Sequence, residues 1–294
     1  MSNTSFQNAS FQSEGLLDNR YRLERVVGKG NMGDVWKAYD EELKRDVALK
    51  FIPSDIQQFR NEMRRVKEAY KMAKMLDHPS ICPVYEMPYS DSVGYYLVMK
   101  WLPGEPLDRY IDRQGGKLTH AQAMDILRPL AVALDYAHGL KVIHRDIRPS
   151  CISIDADANG KVQNATLINF ALAAEIWECS TRLSQSQVSV SGIPSYMPPE
   201  QWQCRRQNAQ TDQYSLGVVA YEILSGRLPF YGANIDMLRQ TVLKDLPEII
   251  PDLPRYTNQA LRRAMAKKSN KRFPTCSAFV HALETPPKFF GLFG

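Results

Sequence analysis

The spacing of apolar residues changes at Pro103-Gly104, and that change restricts the chain to a two-part fold. From Tyr21 onward, YRLERVVGKG, DVWKAYDEEL and RDVALKFI read as strands separated by Gly and charged turns, which predicts an antiparallel meander. One helical stretch follows at about 56–76, where Phe59, Met63, Val66, Tyr70 and Ala73 recur at steps of three and four. Two more strands are predicted at ICPVYEM and GYYLVMKWL. Beyond the break, Ala123, Ile126, Leu127, Leu130, Ala131, Leu134 and Ala137 form one long apolar stripe. It predicts a helix at about 120–139 in the centre of a second lobe, with further helices at 211–225, 257–268 and 275–284. The expected class is α+β, with an N-terminal antiparallel β-sheet lobe carrying one main helix and a mainly helical C-terminal lobe. Residues 1–17 read as a flexible leader, 18–102 as the first lobe, 103–285 as the second and 286–294 as a tail.

A length of 294 residues with 44% hydrophobic content suits a packed globule and excludes a fibre or a wholly disordered chain. Cysteines stand at 82, 151, 179, 204 and 276 with no close CxxC pair, so neither a disulfide framework nor a structural zinc site is indicated. No apolar run reaches the roughly 20 residues needed to span a bilayer, and the first residues lack the apolar core of a secretory signal. A cytoplasmic location is expected. Arg255, Arg262, Arg263, Lys267, Lys268, Lys271 and Arg272 share a stretch without any acidic residue. It reads either as a surface for an acidic partner or, more simply, as a solvated helix face, and no nucleic-acid partner is expected.

The segment GKGNMGDV contains Gly28, Gly30 and Gly33, followed by Val35. A lone GxGxxG could belong to a dinucleotide fold, but that fold needs a helix after the glycines, and here a strand follows that leads to VALK and Lys50. The lesser alternative is that the glycines make only a tight hairpin. HRD at 144–146, YMPPE ending in Glu200 and DQYSLG at 212–217 complete an ordered set. Together these motifs resemble the eukaryotic-like (Hanks-type) serine/threonine protein kinases, including those of bacteria, over about residues 20–285.

The resemblance implies a nucleotide pocket built from Gly28, Gly30, Gly33, Val35, Ala48, Lys50, Met99, Lys100, Leu102 and Ser153. It also implies that Lys50 contacts phosphates and that Asp146 orients the substrate hydroxyl and takes its proton. Glu68 is expected to pair with Lys50, although its distance from His78-Pro79 would select Ala69 instead. His144 and Phe170 match a hydrophobic column between the lobes. Asp212 matches a brace for the HRD backbone, and Glu200 with Arg272 a buried ion pair.

Several positions depart from the family pattern. Arg148 replaces a lysine, Cys151 an asparagine, Asn169 the magnesium-binding aspartate, Ala171 a glycine and Ile193 a threonine, while Ser153 stands for an apolar residue under the adenine. A thiol and an amide are poor ligands for an ion that wants hard oxygen donors. The interval from Asp146 to Asn169 is 23 residues, longer than usual, and DADANGKVQN accounts for the excess as a hairpin. The expectation is therefore a pseudokinase, a regulatory or scaffolding domain that is not an enzyme. It would bind a protein partner and take ATP or ADP without magnesium, and no metal is assigned. The alternative is a divergent serine/threonine kinase with weak or metal-independent activity. The loop at 178–191 is a candidate target for an upstream kinase. Bacterial relatives also suggest the cytoplasmic part of a longer membrane protein.

Overall fold

The computed structural model describes residues 16–28, 33–170 and 193–286. The first lobe is a seven-stranded sheet: β1 (Leu16–Leu17), β2 (Tyr21–Gly28), β3 (Val35–Asp40), β4 (Arg45–Phe51), β5 (Val84–Glu86), β6 (Tyr89–Ser90) and β7 (Gly94–Lys100). The spatial order is β1-β2-β3-β4-β7-β5, with β6 also paired to β7, and all pairings are antiparallel. Strand β1 lies within the stretch expected as a leader, where Leu16 pairs with Arg22 and Leu17 with Tyr21.

Strand β4 is covered on both faces, because successive side chains of a strand point to opposite sides. Val47, Leu49 and Phe51 join Tyr21, Ala38 and Tyr96 on one face, while Ala48 joins Val66, Leu97 and Met99 on the other. The alternation sends Lys50 to the Ala48 face, toward the main helix and the second lobe. The helix expected at about 56–76 is two helices, α1 (Ser54–Gln57) and α2 (Arg60–Lys74). Phe59 between them is extended, at φ −108° and ψ 108°, and is exposed rather than part of the apolar stripe. Met63, Val66 and Ala73 supply the buried face of α2.

The second lobe contains α3 (Leu107–Arg113), α4 (His120–Gly139), α5 (Pro199–Trp202), α6 (Ala209–Ser225), α7 (Ile235–Lys244), α8 (Arg255–Ala264) and α9 (Cys276–Glu284). A small antiparallel sheet of β8 (Glu105–Pro106), β9 (Ile152–Ala156) and β10 (Val162–Leu167) lies beside them in the order β10-β9-β8. Helix α4 begins with a capping box: the Gln122 amide donates to Thr119 Oγ1, and the Thr119 amide donates to Gln122 Oε1. Helix α6 is buried all round from Thr211 to Leu224, apart from Glu222, and so forms the axis of this lobe.

The basic stretch at 255–272 is largely used inside the lobe. Arg262 Nε donates to the Pro247 carbonyl at 3.0 Å, Lys267 Nζ donates to the Val242 carbonyl at 2.6 Å, and the Arg263 guanidinium stacks over Phe273. Arg255, Lys268 and Lys271 stay exposed, so the rest of the stretch is a solvated face, the simpler of the two readings. Among the described residues, no helix is long and apolar enough to cross a membrane.

The lobes are stitched together just upstream of Asn169. Ile81 bridges to Leu167, the Cys82 amide donates to the Leu167 carbonyl at 2.8 Å, and the Leu167 amide donates to the Ser80 carbonyl at 2.9 Å. A chain end anchored this way delivers residues 168–170 to the cleft under β4.

Candidate active site

The HRD segment is held from below by Asp212 in the first turn of α6. The amides of His144 and Arg145 donate to its two carboxylate oxygens, each at 2.8 Å, and His138 Nε2 lies 2.7 Å from Oδ2. Burial alone would raise the Asp212 pKa, but the His138 hydrogen bond and the bond from the His144 amide hold it below the usual carboxylate value. Arg145 has φ 70°, a left-handed conformation uncommon outside glycine, and the Asp212 bond to its amide helps hold it there. His144 is fully buried, which keeps its imidazole pKa low; its Nε2 lies 3.1 Å from the Ile168 carbonyl, and its ring meets Phe170 edge-on at 4.8 Å.

On this frame stand the groups that could act on a substrate. Arg148 Nε donates to Asp146 Oδ1 at 3.1 Å and Oδ2 at 3.3 Å, and Cys151 Sγ approaches Oδ2 at 3.6 Å. Burial, with Asp146 beside it, pushes the Cys151 thiol pKa upward, so the sulfur stays protonated. Across the cleft, Lys50 is only 3% exposed, and its Nζ is 3.4 Å from Asn169 Oδ1. Burial lowers the Lys50 pKa to about 8, partly offset by Cys151 and Asp146. Asn169 has φ 62°, a conformation asparagine accepts more readily than most residues.

Glu68 is not the partner of Lys50. It is exposed on α2, whereas Ala69 is the half-buried residue that packs against the cluster containing Ala48 and Met99. A carboxylate one residue away lies about 100° around the helix, too far round to reach the same point. The spacing to His78-Pro79 had selected the correct position, and alanine occupies it.

The apolar part of the cleft gathers Val35, Ala48, Met99, Leu102 and Ile168 into one cluster, with Ala48 opposite Met99 in the β4–β7 register. Gly28 sits opposite Val35 at the end of β2. Gly33 has φ +91°, and a Cβ there would collide with the Phe51 carbonyl oxygen, so the backbone demands glycine whether or not a nucleotide binds. Gly30 lies outside the described residues, as do Ala171, the side chain of Ile193 and the 178–191 loop. Lys100 is exposed, its amide donating to the Pro83 carbonyl at 3.1 Å and its carbonyl accepting from Cys82 Sγ at 3.5 Å. Ser153 is half-buried on β9 opposite Pro106 and Thr166.

Sequence reasoning missed Ile168, Cys82 and His138. Ile168 was visible as the last apolar residue before Asn169, but nothing in the spacing marked Cys82 or His138. Elsewhere in the lobe, the buried side chain of Arg272 donates through Nη1 and Nη2 to Glu200 at 2.7 and 2.8 Å.

The donor set does not suit magnesium. The Asn169 amide oxygen accepts from Lys50, the Cys151 sulfur is a protonated soft donor, and the Asp146 carboxylate is taken by Arg148. A second cluster, Asp135, His138 and Cys276, brings possible ligand atoms within 4.8 Å of one another. Its Asp135 oxygens accept the amides of Cys276 and Ser277, and His138 Nε2 is directed to Asp212, so these groups organise the start of α9 and the HRD brace.

Residues 21–283 match the protein kinase domain family. The chain belongs to that family. It is 31% identical over 272 residues to the serine/threonine-protein kinase PknA of Mycobacterium tuberculosis, an alignment covering 91% of this chain and 61% of PknA. Identity to the serine/threonine-protein kinase PrkC of Bacillus subtilis is 32% over 273 residues, covering 92% of this chain and 41% of PrkC. The chain thus spans about three-fifths or less of the length of these relatives. The kinase domain of M. tuberculosis PknI superimposes with a TM-score of 0.69 at 25% identity, over 90% of this chain and 94% of that domain.

These matches place the chain among bacterial eukaryotic-like serine/threonine kinase domains and overturn the expectation that it is not an enzyme. The substitutions are single side chains within an intact frame, and a frame of this kind still brings Asp146, Arg148 and Lys50 to one cleft. The divergent-kinase alternative is the reading the relatives support.

Proposed function

We propose that the chain is a divergent serine/threonine protein kinase domain that transfers a phosphoryl group from ATP without depending on magnesium. The observation that carries the reading is the convergence on one cleft of buried Lys50, 3.4 Å from Asn169 Oδ1, and of Arg148 beside Asp146 at 3.1 Å. The named serine/threonine kinases among its relatives support the substrate class.

In this reading the adenine lies against Val35, Ala48, Met99 and Ile168, and the glycine-bearing turn covers the phosphates. Lys50 holds the α- and β-phosphate oxygens. Arg148 lies beside Asp146 at 3.1 Å and offers further N–H donors to the transferred group. Asp146 accepts the proton of the substrate hydroxyl as the new O–P bond to the γ-phosphorus forms and the bond from γ-phosphorus to the β,γ-bridging oxygen breaks. ADP departs with that electron pair. Phosphoryl transfer depends chiefly on positioning and charge stabilisation, so two side-chain cations sustain a slow reaction.

The test is transfer of labelled γ-phosphate from ATP to a Ser/Thr peptide library, in magnesium and in excess chelator, with Asp146→Asn as control. Transfer that persists in chelator and disappears in Asp146→Asn supports the proposal. Absence of transfer in both conditions, or a rate untouched by Asp146→Asn, would refute it.

A further inference from the structure

The segment between α7 and α8 holds two large apolar side chains in solvent. Leu246 is 63% exposed and Ile249 is 56% exposed, while Pro247 and Ile250 next to them are buried. Hydrogen bonds fix the segment in this pose. Arg262 Nε donates to the Pro247 carbonyl, and the Asn258 side chain accepts from the Ile250 amide at 2.8 Å and donates to its carbonyl at 3.0 Å. Half-buried Leu253 continues the segment, and the Asp252 carboxylate beside it is 85% exposed, with Lys117 Nζ at 4.0 Å.

The chain leaves the second lobe close to this patch. Ile250 is bonded to Asn258, and the adjoining Thr257 donates through Oγ1 to the Leu283 carbonyl at 3.0 Å. Two hydrogen bonds and one peptide link therefore separate Ile250 from Leu283, a path of at most about 20 Å. The exit itself is fixed: Arg128 Nε donates to both Glu284 carboxylate oxygens at 3.0 and 3.2 Å, and the Tyr256 hydroxyl donates to the Glu284 carbonyl at 3.4 Å. Thr285 is extended, at φ −120° and ψ 123°, and the sequence then runs PPKFFGLFG, of which residues 287–294 lie outside the described residues. Phe289, Phe290, Leu292 and Phe293 stand five to nine positions beyond Glu284. Extended chain of that length reaches roughly 17–30 Å, enough to cover Leu246 and Ile249.

We infer that residues 288–293 dock on the α7–α8 segment of their own chain, with the Phe side chains against Leu246 and Ile249 and Lys288 facing Asp252. The tether holds this occupant at an effective concentration on the order of millimolar, which a separate partner must match. Its closely spaced apolar side chains gain by leaving water, and its lysine brings the charge opposite to Asp252. Val132, 53% exposed on α4, is also near the exit, but it stands one turn from the exposed Asp125–Arg128 pair, a polar setting.

The test is photo-cross-linking of the whole chain carrying Phe290→p-benzoylphenylalanine, followed by digestion and mass spectrometry. A cross-link to residues 245–254 within one chain is expected. Leu246→Asp with Ile249→Asp should lower its yield at least about tenfold and Asp252→Lys about twofold, while Val132→Asp should leave it unchanged. Thermal melting shows that each variant folds. The inference is overturned if no cross-link reaches residues 245–254, if the cross-link joins two chains, or if Val132→Asp lowers the yield as much as the Leu246 and Ile249 changes do.

Discussion

Replacing Lys50 by Met should stabilise the folded domain at neutral pH, even though Lys50 is central to the proposed chemistry. Lys50 is almost wholly buried and, among the described residues, lacks a helix glutamate and has one long hydrogen bond to an amide. Its pKa falls from 10.5 to about 8 because burial disfavours the charged form. That depression corresponds to about 3 kcal/mol of strain on the folded state. Below pH 8 the lysine is charged in both folded and unfolded chains, so the whole cost is present at pH 7. Between about 8 and 10.5 the folded chain loses its proton first, and the cost shrinks by about 1.4 kcal/mol per pH unit. Met nearly matches the volume of the stem, and half-buried Asn169 can turn to water. Urea unfolding of both proteins at pH 7 and pH 9 measures the effect: the variant should gain about 3 kcal/mol at pH 7 and about 2 kcal/mol at pH 9. A loss of stability at pH 7, or a difference that does not change with pH, would refute the account of Lys50 as a buried, poorly compensated cation.

Other substitutions probe the frame and the cleft separately. Arg272→Met strands the buried Glu200 carboxylate and should cost about 3–5 kcal/mol in chemical denaturation, and a loss below about 1 kcal/mol would show that the pair is solvated. Gly33→Ala should destabilise the nucleotide-free chain by about 1–3 kcal/mol through its positive φ and the Phe51 carbonyl, whereas an effect seen only with nucleotide would assign the glycine to binding alone. Asn169→Asp combined with Cys151→Asn supplies hard oxygen donors and should make transfer magnesium-dependent, with a gain of about a hundredfold; a rate that remains indifferent to magnesium would show that the donor set is not what limits the metal.

The frame was legible because its signals are local and periodic. The α4 stripe from Ala123 to Ala137 marked a helix that the structure places at His120–Gly139, with a capping box at its start. The first-lobe strands followed from runs broken by glycine. Helix α3 went unread because seven residues give less than two full turns of periodicity, and α7 because it buries just Leu238 and Val242. The split between α1 and α2 was hidden because Phe59 fits the helical spacing while its backbone is extended. Pairings across the cleft were harder to read, since they join residues more than a hundred positions apart. Lys50 was placed correctly in the cleft by its motif, but its neighbour could be taken as Glu68 or Ala69, and only packing decides between residues about 100° apart on a helix.

The substitutions in the cleft share one electrostatic direction. Relative to the family pattern, Ala69 removes a glutamate and Asn169 removes an aspartate, while Arg148 keeps the positive charge of a lysine. Two negative charges are therefore lost and no positive charge is, a change of +2 that equals the charge of one divalent ion. Among the described residues, the charged groups of the cleft are Lys50, Arg148 and Asp146, which leave it net positive before any nucleotide enters. Placing a divalent cation there would oppose those side chains, whereas the anionic phosphates of ATP would relieve the buried Lys50 charge. Under the proposed function, the side chains of the cleft supply the positive charge that a bound ion would otherwise bring, and metal-free ATP is the form of the nucleotide expected to bind.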